Sequence, residues 1–230
     1  MSERSLYRLM SWLSPAFPTG SFAHSGGLEW AIAEGFAGTR SDLEGWLEDF
    51  LTAGGGRNDA VLFVHAWHLA ARREQESLNA LVELAAALHP SRERWLEAVA
   101  QGAAFRRIAL STAPCDALAM LAAIPDEELC YPIVVAVLAA GHAITPATAL
   151  TGYLHAVIGN LVSAAQRLIP LGQTDGQKVI AALEPEVHRL AQWALTLPGS
   201  DPFEQIGSAT LMADFASLAH ETQYTRLFRT

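Results

Sequence analysis

Ile133-Val134-Val135-Ala136-Val137-Leu138-Ala139-Ala140-Gly141-His142-Ala143-Ile144-Thr145-Pro146 is the centre of a stretch that decides the fold: from Leu129 to Gln166 there is no Asp, Glu, Lys or Arg. The apolar run from Ile133 to Ala140 is far short of the roughly 20 residues a bilayer crossing needs. Polar and small interruptions follow at Gly141-His142, Thr145-Pro146, Gly152, His155 and Gly159-Asn160. A membrane span is therefore not expected. A pair of helices is, buried on all sides or half buried and half in an oligomer interface. Thr145 supplies an N-cap and Pro146 a first helical residue, so the second helix runs through Leu150, Leu154, Val157 and Leu161 to Arg167, and Pro170 stops it.

Outward from this centre the periodicity is helical and no strand pattern appears. Ser41 and Glu44 form a capping-box pattern ahead of Leu43, Trp46, Leu47, Phe50 and Leu51. Gly54-Gly55-Gly56 is expected to end that helix with positive-φ positions, and the next begins near Asn58 or Asp59. Further amphipathic runs carry Leu78, Leu81, Val82 and Ala85, then Trp95, Leu96, Val99, Ala103 and Ile108 after Pro90-Ser91, then Leu118 and Leu121. Thr174 and Gln177 repeat the capping box, Pro185 restarts the chain, and a last helix carries Leu211, Phe215 and Leu218. The pattern predicts an all-α, single-domain bundle of eight to eleven helices over residues 1–230, with residues 220–230 as an interacting tail.

Composition narrows the function. Of 230 residues 51% are hydrophobic and 17% charged, with a net charge of −9 and one lysine, Lys178. Nothing clusters Lys and Arg as phosphate neutralisation requires, so nucleic acid is not an expected ligand. Cys115 and Cys130 lack Cys-x-x-Cys spacing and read as reduced thiols of a cytoplasmic protein. Residues 1–9 lack the apolar core of a signal peptide.

Chemical motifs are sparse. Gly54-Gly55-Gly56-Arg57 lacks the Lys-Ser/Thr ending of a phosphate loop. His24, Ser25 and Asp42 come without a nucleophile elbow. His65 and His68, three apart on one helix, could share a metal in a metal-dependent hydrolase, the alternative reading, but no nearby Glu or Cys completes a ligand set. No cofactor is called for. Two segments suit contact with other proteins instead. Pro15 to Glu29 is a loop stiffened by Pro and Gly that offers Phe17, Phe22 and His24. The stretch His220-Glu221-Thr222-Gln223-Tyr224-Thr225-Arg226-Leu227-Phe228-Arg229-Thr230 mixes aromatics with Arg, the composition of an interface core, and can dock on its own domain or on another protein.

Four stretches together resemble the urease accessory protein F family: Leu13 to Phe22 with Ser25 and Gly27-Leu28-Glu29; Gln101-Gly102 through Phe105; Arg167 to Gln177; and His220 to Arg229. Ser21 stands in place of a frequent Gly, Ala219 in place of an Arg before the His-Glu pair, and Thr230 in place of a closing Ser. The resemblance implies a cytoplasmic, dimeric, non-enzymatic urease maturation factor. It implies a bridge between the D/H-type urease accessory protein and the nickel-carrying G-type GTPase, through which nickel reaches apo-urease. The partner-binding residues expected on it are Phe22, His24, Glu29, His220, Glu221, Tyr224, Arg226, Leu227, Phe228 and Arg229. By family analogy His24 lies on the partner-facing loop and Arg226 makes the D/H-type contact, with Tyr224 and Phe228 as anchors on a tail that the partner orders.

Overall fold

The computed structural model describes residues 2–230. Thirteen α-helices follow one another among them: α1 (Glu3–Trp12), α2 (Leu28–Ala33), α3 (Arg40–Ala53), α4 (Gly55–Arg72), α5 (Gln75–Ala87), α6 (Arg92–Thr112), α7 (Asp116–Ala119), α8 (Tyr131–Gly141), α9 (Pro146–Leu168), α10 (Gln173–Ala182), α11 (Glu184–Ala194), α12 (Pro202–Gln205) and α13 (Leu211–His220). Two of these, α7 and α12, are single turns, which leaves eleven helices of six residues or more. No strand occurs among the described residues, only one isolated bridge between Pro198 and Ser200. The chain is all-α.

The charge-free stretch is the middle of the bundle. All residues from Pro132 to Ala139 in α8 are buried, packed by α4, α6, α7 and α9. A helix apolar all round has no face to give to water, so α8 takes the position enclosed by its neighbours. Thr145 caps α9 through its hydroxyl, with Pro146 in the first turn, and α9 buries Leu150, Leu154 and Leu161. No helix among the described residues is long and apolar enough to cross a membrane.

Several boundaries differ from the sequence reading, each for a local reason. Thr39, not Ser41, caps α3, because the same hydroxyl-x-x-acid pattern occurs two residues earlier: Asp42 N donates to Thr39 Oγ1 and Thr39 N donates to Asp42 Oδ2 at 2.9 Å. None of Gly54, Gly55 and Gly56 has a positive φ, and Gly55 already begins α4. These glycines make room for side chains. A Cβ on Gly56 would lie 2.7 Å from the Phe50 ring, and one on Gly54 2.9 Å from Thr210 Oγ1. Helix α10 starts from Gly172 without a side-chain cap, which places Thr174 and Gln177 inside it. The largest difference is α13: its inner face is Ala216, Ser217 and His220, while Leu211, Phe215 and Leu218 are exposed.

Candidate functional site: the seat of the C-terminal segment

The loop from Thr19 to Gly27 and the last ten residues, far apart in sequence, meet on the outer side of α2 and α6. Gly27 makes the approach possible. It sits at φ +87, and a Cβ there would lie 2.7 Å from Ser217 N, so the start of α2 presses against the backbone of α13. Ser91, the N-cap of α6, hydrogen-bonds Ser217 from the other side.

Glu29 and Glu93, both buried, are the charged floor of the seat. The Glu29 carboxylate accepts from Leu227 N at 2.6 Å, from Phe228 N at 2.9 Å and from His220 Nε2 at 3.0 Å. Glu93 accepts from His220 Nδ1 at 2.5 Å and from Arg226 Nη1 at 2.7 Å. His220 is fully buried, and its ring satisfies both carboxylates when it carries both protons. Burial opposes ionisation of Glu29, yet the donors of Leu227, His220 and Phe228 outweigh it and hold that carboxyl below its ordinary range.

The final residues then pair with the loop. Arg229 N donates to Ala23 O at 2.8 Å, and Ser25 N donates to Thr230 O at 2.6 Å. Ser25 Oγ donates to the same oxygen, and His24 Nδ1 lies 2.6 Å from Thr230 Oγ1. Burial, reinforced by Arg229 and Arg94 against the opposing pull of Glu97 and Glu93, lowers the His24 pKa and favours the neutral ring. Phe228 is buried, with the Arg167 guanidinium 4.2 Å from its ring centroid. Glu221 Oε1 accepts from Arg92 N in the first turn of α6, where an anion is favoured.

The ten residues expected to bind partners therefore divide. His24, Glu29, His220 and Phe228 are buried within this chain, and Glu221, Arg226 and the Arg229 backbone are engaged with it. Phe22 is 70% exposed, Leu227 62%, and Tyr224 lies fully in solvent. In this structure the tail is seated on its own helices. Glu93, Ser25 and Arg167 belong to the seat, although the sequence reading gave them no role in it. A weak signal for Glu93 exists in Ser91-x-Glu93, an acid in the first turn of a capped helix, but nothing in the sequence says that it is buried.

His65 and His68 lie with Arg72 and Asp201 around a cavity of about 410 Å³ between α4, α5 and the loop before α12. Burial lowers the pKa of both rings, and His65 Nε2 has no hydrogen-bond partner. No three His, Cys, Asp or Glu side chains among the described residues are grouped to hold a metal. The metal-hydrolase alternative thus lacks a ligand set.

A second cavity, about 360 Å³, opens beneath the loop and is bordered by Asp59, Arg94, Glu97 and Tyr153. The Tyr153 hydroxyl donates to Asp59 Oδ2 at 2.7 Å. Burial still pushes the Asp59 carboxyl up to about 6, against the opposing pull of that bond and of Arg94. Arg94 donates to Glu97 at 2.5 Å, and burial pushes His89 down to about 4.

Comparison with known proteins places the chain in context. The family model described as UreF matches residues 38–184. "Urease accessory protein UreF" of Bradyrhizobium sp. (strain BTAi1) is 51% identical over 229 residues, which cover 100% of this chain and 93% of that protein. The protein of the same name from Rhodopseudomonas palustris (strain TIE-1) is 48% identical over 225 residues, 98% of this chain and 92% of that one.

Proposed function

Since the chain belongs to the UreF family, we propose that it serves urease maturation as a non-enzymatic scaffold. It joins a D/H-type urease accessory protein to the nickel-carrying G-type GTPase, and the assembly hands nickel, as cargo, to apo-urease. The chain works as a homodimer in the cytoplasm. The observation that carries this reading is the seat itself. Buried carboxylates hold the tail in one register, leaving Tyr224 and Leu227 exposed as contact groups. Contact groups that are already ordered lose little entropy on binding, which favours affinity. In this mechanism Tyr224 and Leu227 touch the D/H-type partner, while Glu29, His220, Arg226 and Phe228 act by positioning them, and Phe22 extends the surface from the loop. The composite surface then recruits the GTPase.

The test is to mix the purified chain with D/H-type and G-type accessory proteins and weigh the complexes by light scattering, with and without residues 221–230. A ternary mass that disappears on truncation is expected. Undiminished complex from the truncated chain overturns the role of the tail. Tyr224→Ala, which removes no intrachain contact, is expected to weaken D/H-type binding about thirtyfold if Tyr224 is a hot spot.

A further inference from the structure

The cavity of about 410 Å³ between α4, α5 and the loop before α12 has no part in the scaffold reading. Its wall is of two kinds. Leu69 of α4, Leu81 and Leu84 of α5, and Pro198 and Pro202 on the loop side are apolar, whereas His65, His68, Arg72, Glu74 and Asp201 bring polar atoms. An apolar lining with a few polar groups, at this volume, is the make-up of a small-molecule pocket. We propose that the cavity binds a small uncharged molecule whose apolar body lies on Leu69, Leu81 and Leu84 and whose single hydroxyl group meets the His65 imidazole.

The hydroxyl follows from His65. This residue is 7% exposed, and its Nε2 is the only buried side-chain nitrogen among the described residues that lacks a hydrogen-bond partner. Such an atom has given up water and gained nothing in exchange. A hydroxyl both donates and accepts, so it answers Nε2 in either tautomer of the neutral ring.

The absence of charge on the ligand follows from the other polar groups, each of which is already answered. Arg72 Nη1 lies 3.9 Å from Glu74 Oε1, and both side chains reach water. Asp201 Oδ1 accepts from Phe203 N at 3.0 Å as the cap of α12. Burial lowers the pKa of His65, with His68 adding to the effect and Asp201 opposing it, and burial followed by Arg72 lowers that of His68. Both rings are therefore neutral at physiological pH, and half-buried His68 keeps access to water. A carboxylate entering the cavity meets Asp201 and Glu74, an ammonium group meets Arg72, and neither finds a free counter-charge to offset its lost hydration.

The test uses the full-length chain and three probes of one shape, 2-naphthol, naphthalene and 2-naphthoate, with binding read from probe fluorescence. One 2-naphthol per chain is expected, held about tenfold more tightly than naphthalene, the worth of one added hydrogen bond. The charged 2-naphthoate is expected to bind at least about tenfold more weakly than 2-naphthol. His65→Phe keeps a ring but removes its nitrogens, and is expected to bring 2-naphthol down to the affinity of naphthalene without lowering the melting temperature. Ala80→Trp fills the cavity from an exposed position and is expected to abolish binding of both probes at parent helix content and melting temperature. This second variant decides the location of the site even where His65→Phe fails to fold. A parent chain that shows no saturable binding of 2-naphthol overturns the proposal, as does undiminished binding in Ala80→Trp. A preference for 2-naphthol over naphthalene that persists in His65→Phe overturns the role of His65, and 2-naphthoate bound as tightly as 2-naphthol overturns the ligand class. No residue of the tail seat borders the cavity, so failure here leaves the scaffold reading standing.

Discussion

The centre of the bundle and the seat of the tail are both dry, but they are built from opposite materials. From Leu129 to Gln166 nothing is charged, and α8 is enclosed by apolar side chains on every side. At the seat, by contrast, two carboxylates, an imidazole and an Arg meet backbone N–H groups within a few ångströms. Apolar burial is non-directional and sets how firmly the molecule holds together. Hydrogen bonds to buried carboxylates are directional, and a one-residue slip of the tail would leave Glu29 without Leu227 N and Phe228 N. The centre supplies stability, and the seat supplies register.

This contrast can be tested where the effect is largest, in the centre. Leu138→Ala empties a fully buried position of α8 and is expected to lower global unfolding free energy by about 3 kcal/mol. Urea denaturation measures it, and amide exchange in the tail should change only in step with global stability. Glu29→Gln is the converse. It keeps the shape but turns an acceptor into a donor that faces the tail N–H groups, and a local cost of about 2 kcal/mol is expected. Exchange at Leu227 and Phe228 should accelerate well beyond any change in the midpoint of global unfolding.

Acid should separate the two regions without mutation. Because the folded seat holds the Glu29 pKa below its unfolded value, its contribution is fully present above the ordinary carboxylate pKa and is lost as pH falls through the lowered one. Tail protection measured by limited proteolysis is therefore expected to hold at neutral pH and fail on acidification, ahead of loss of helix content.

Asp59 provides the smallest and sharpest check, because its bond to Tyr153 brings an acid to the charge-free segment. Its folded pKa is raised to about 6. The folded state thus binds this proton more tightly than the unfolded chain, and the resulting stability declines as pH rises through that value. Asp59→Asn should remove this decline and raise the melting temperature more at pH 8 than at pH 4.

Much of the fold was legible because local rules decide it. Thr145-Pro146 opens α9 as read, α6 begins after Pro90-Ser91 as read, and the absence of charge from 129 to 166 marked the interior directly. The misreadings have a common cause. Periodicity shows that a helix has an apolar face, but only the tertiary arrangement determines which face turns inward. Ala216 and Ser217 won on α13 because Gly27 and Ser91 come close enough to need small residues there, and His220 because its ring pairs with Glu29 and Glu93. The seat was half legible. The composition of the tail and loop pointed to docking, but the pairing of His220 with Glu29, 191 residues apart, leaves no mark in local sequence. A buried acid and an exposed one look alike in a string of letters.

Gly27 has a consequence for the birth of the chain. The turn that it forms can find its place only against Ser217, and Glu29 waits 191 residues for His220. At ordinary rates of ribosomal synthesis, that interval lasts roughly 10–40 s. For all of it the nascent polypeptide carries Glu29 without its His220 partner, so this contact closes only after both segments have been made.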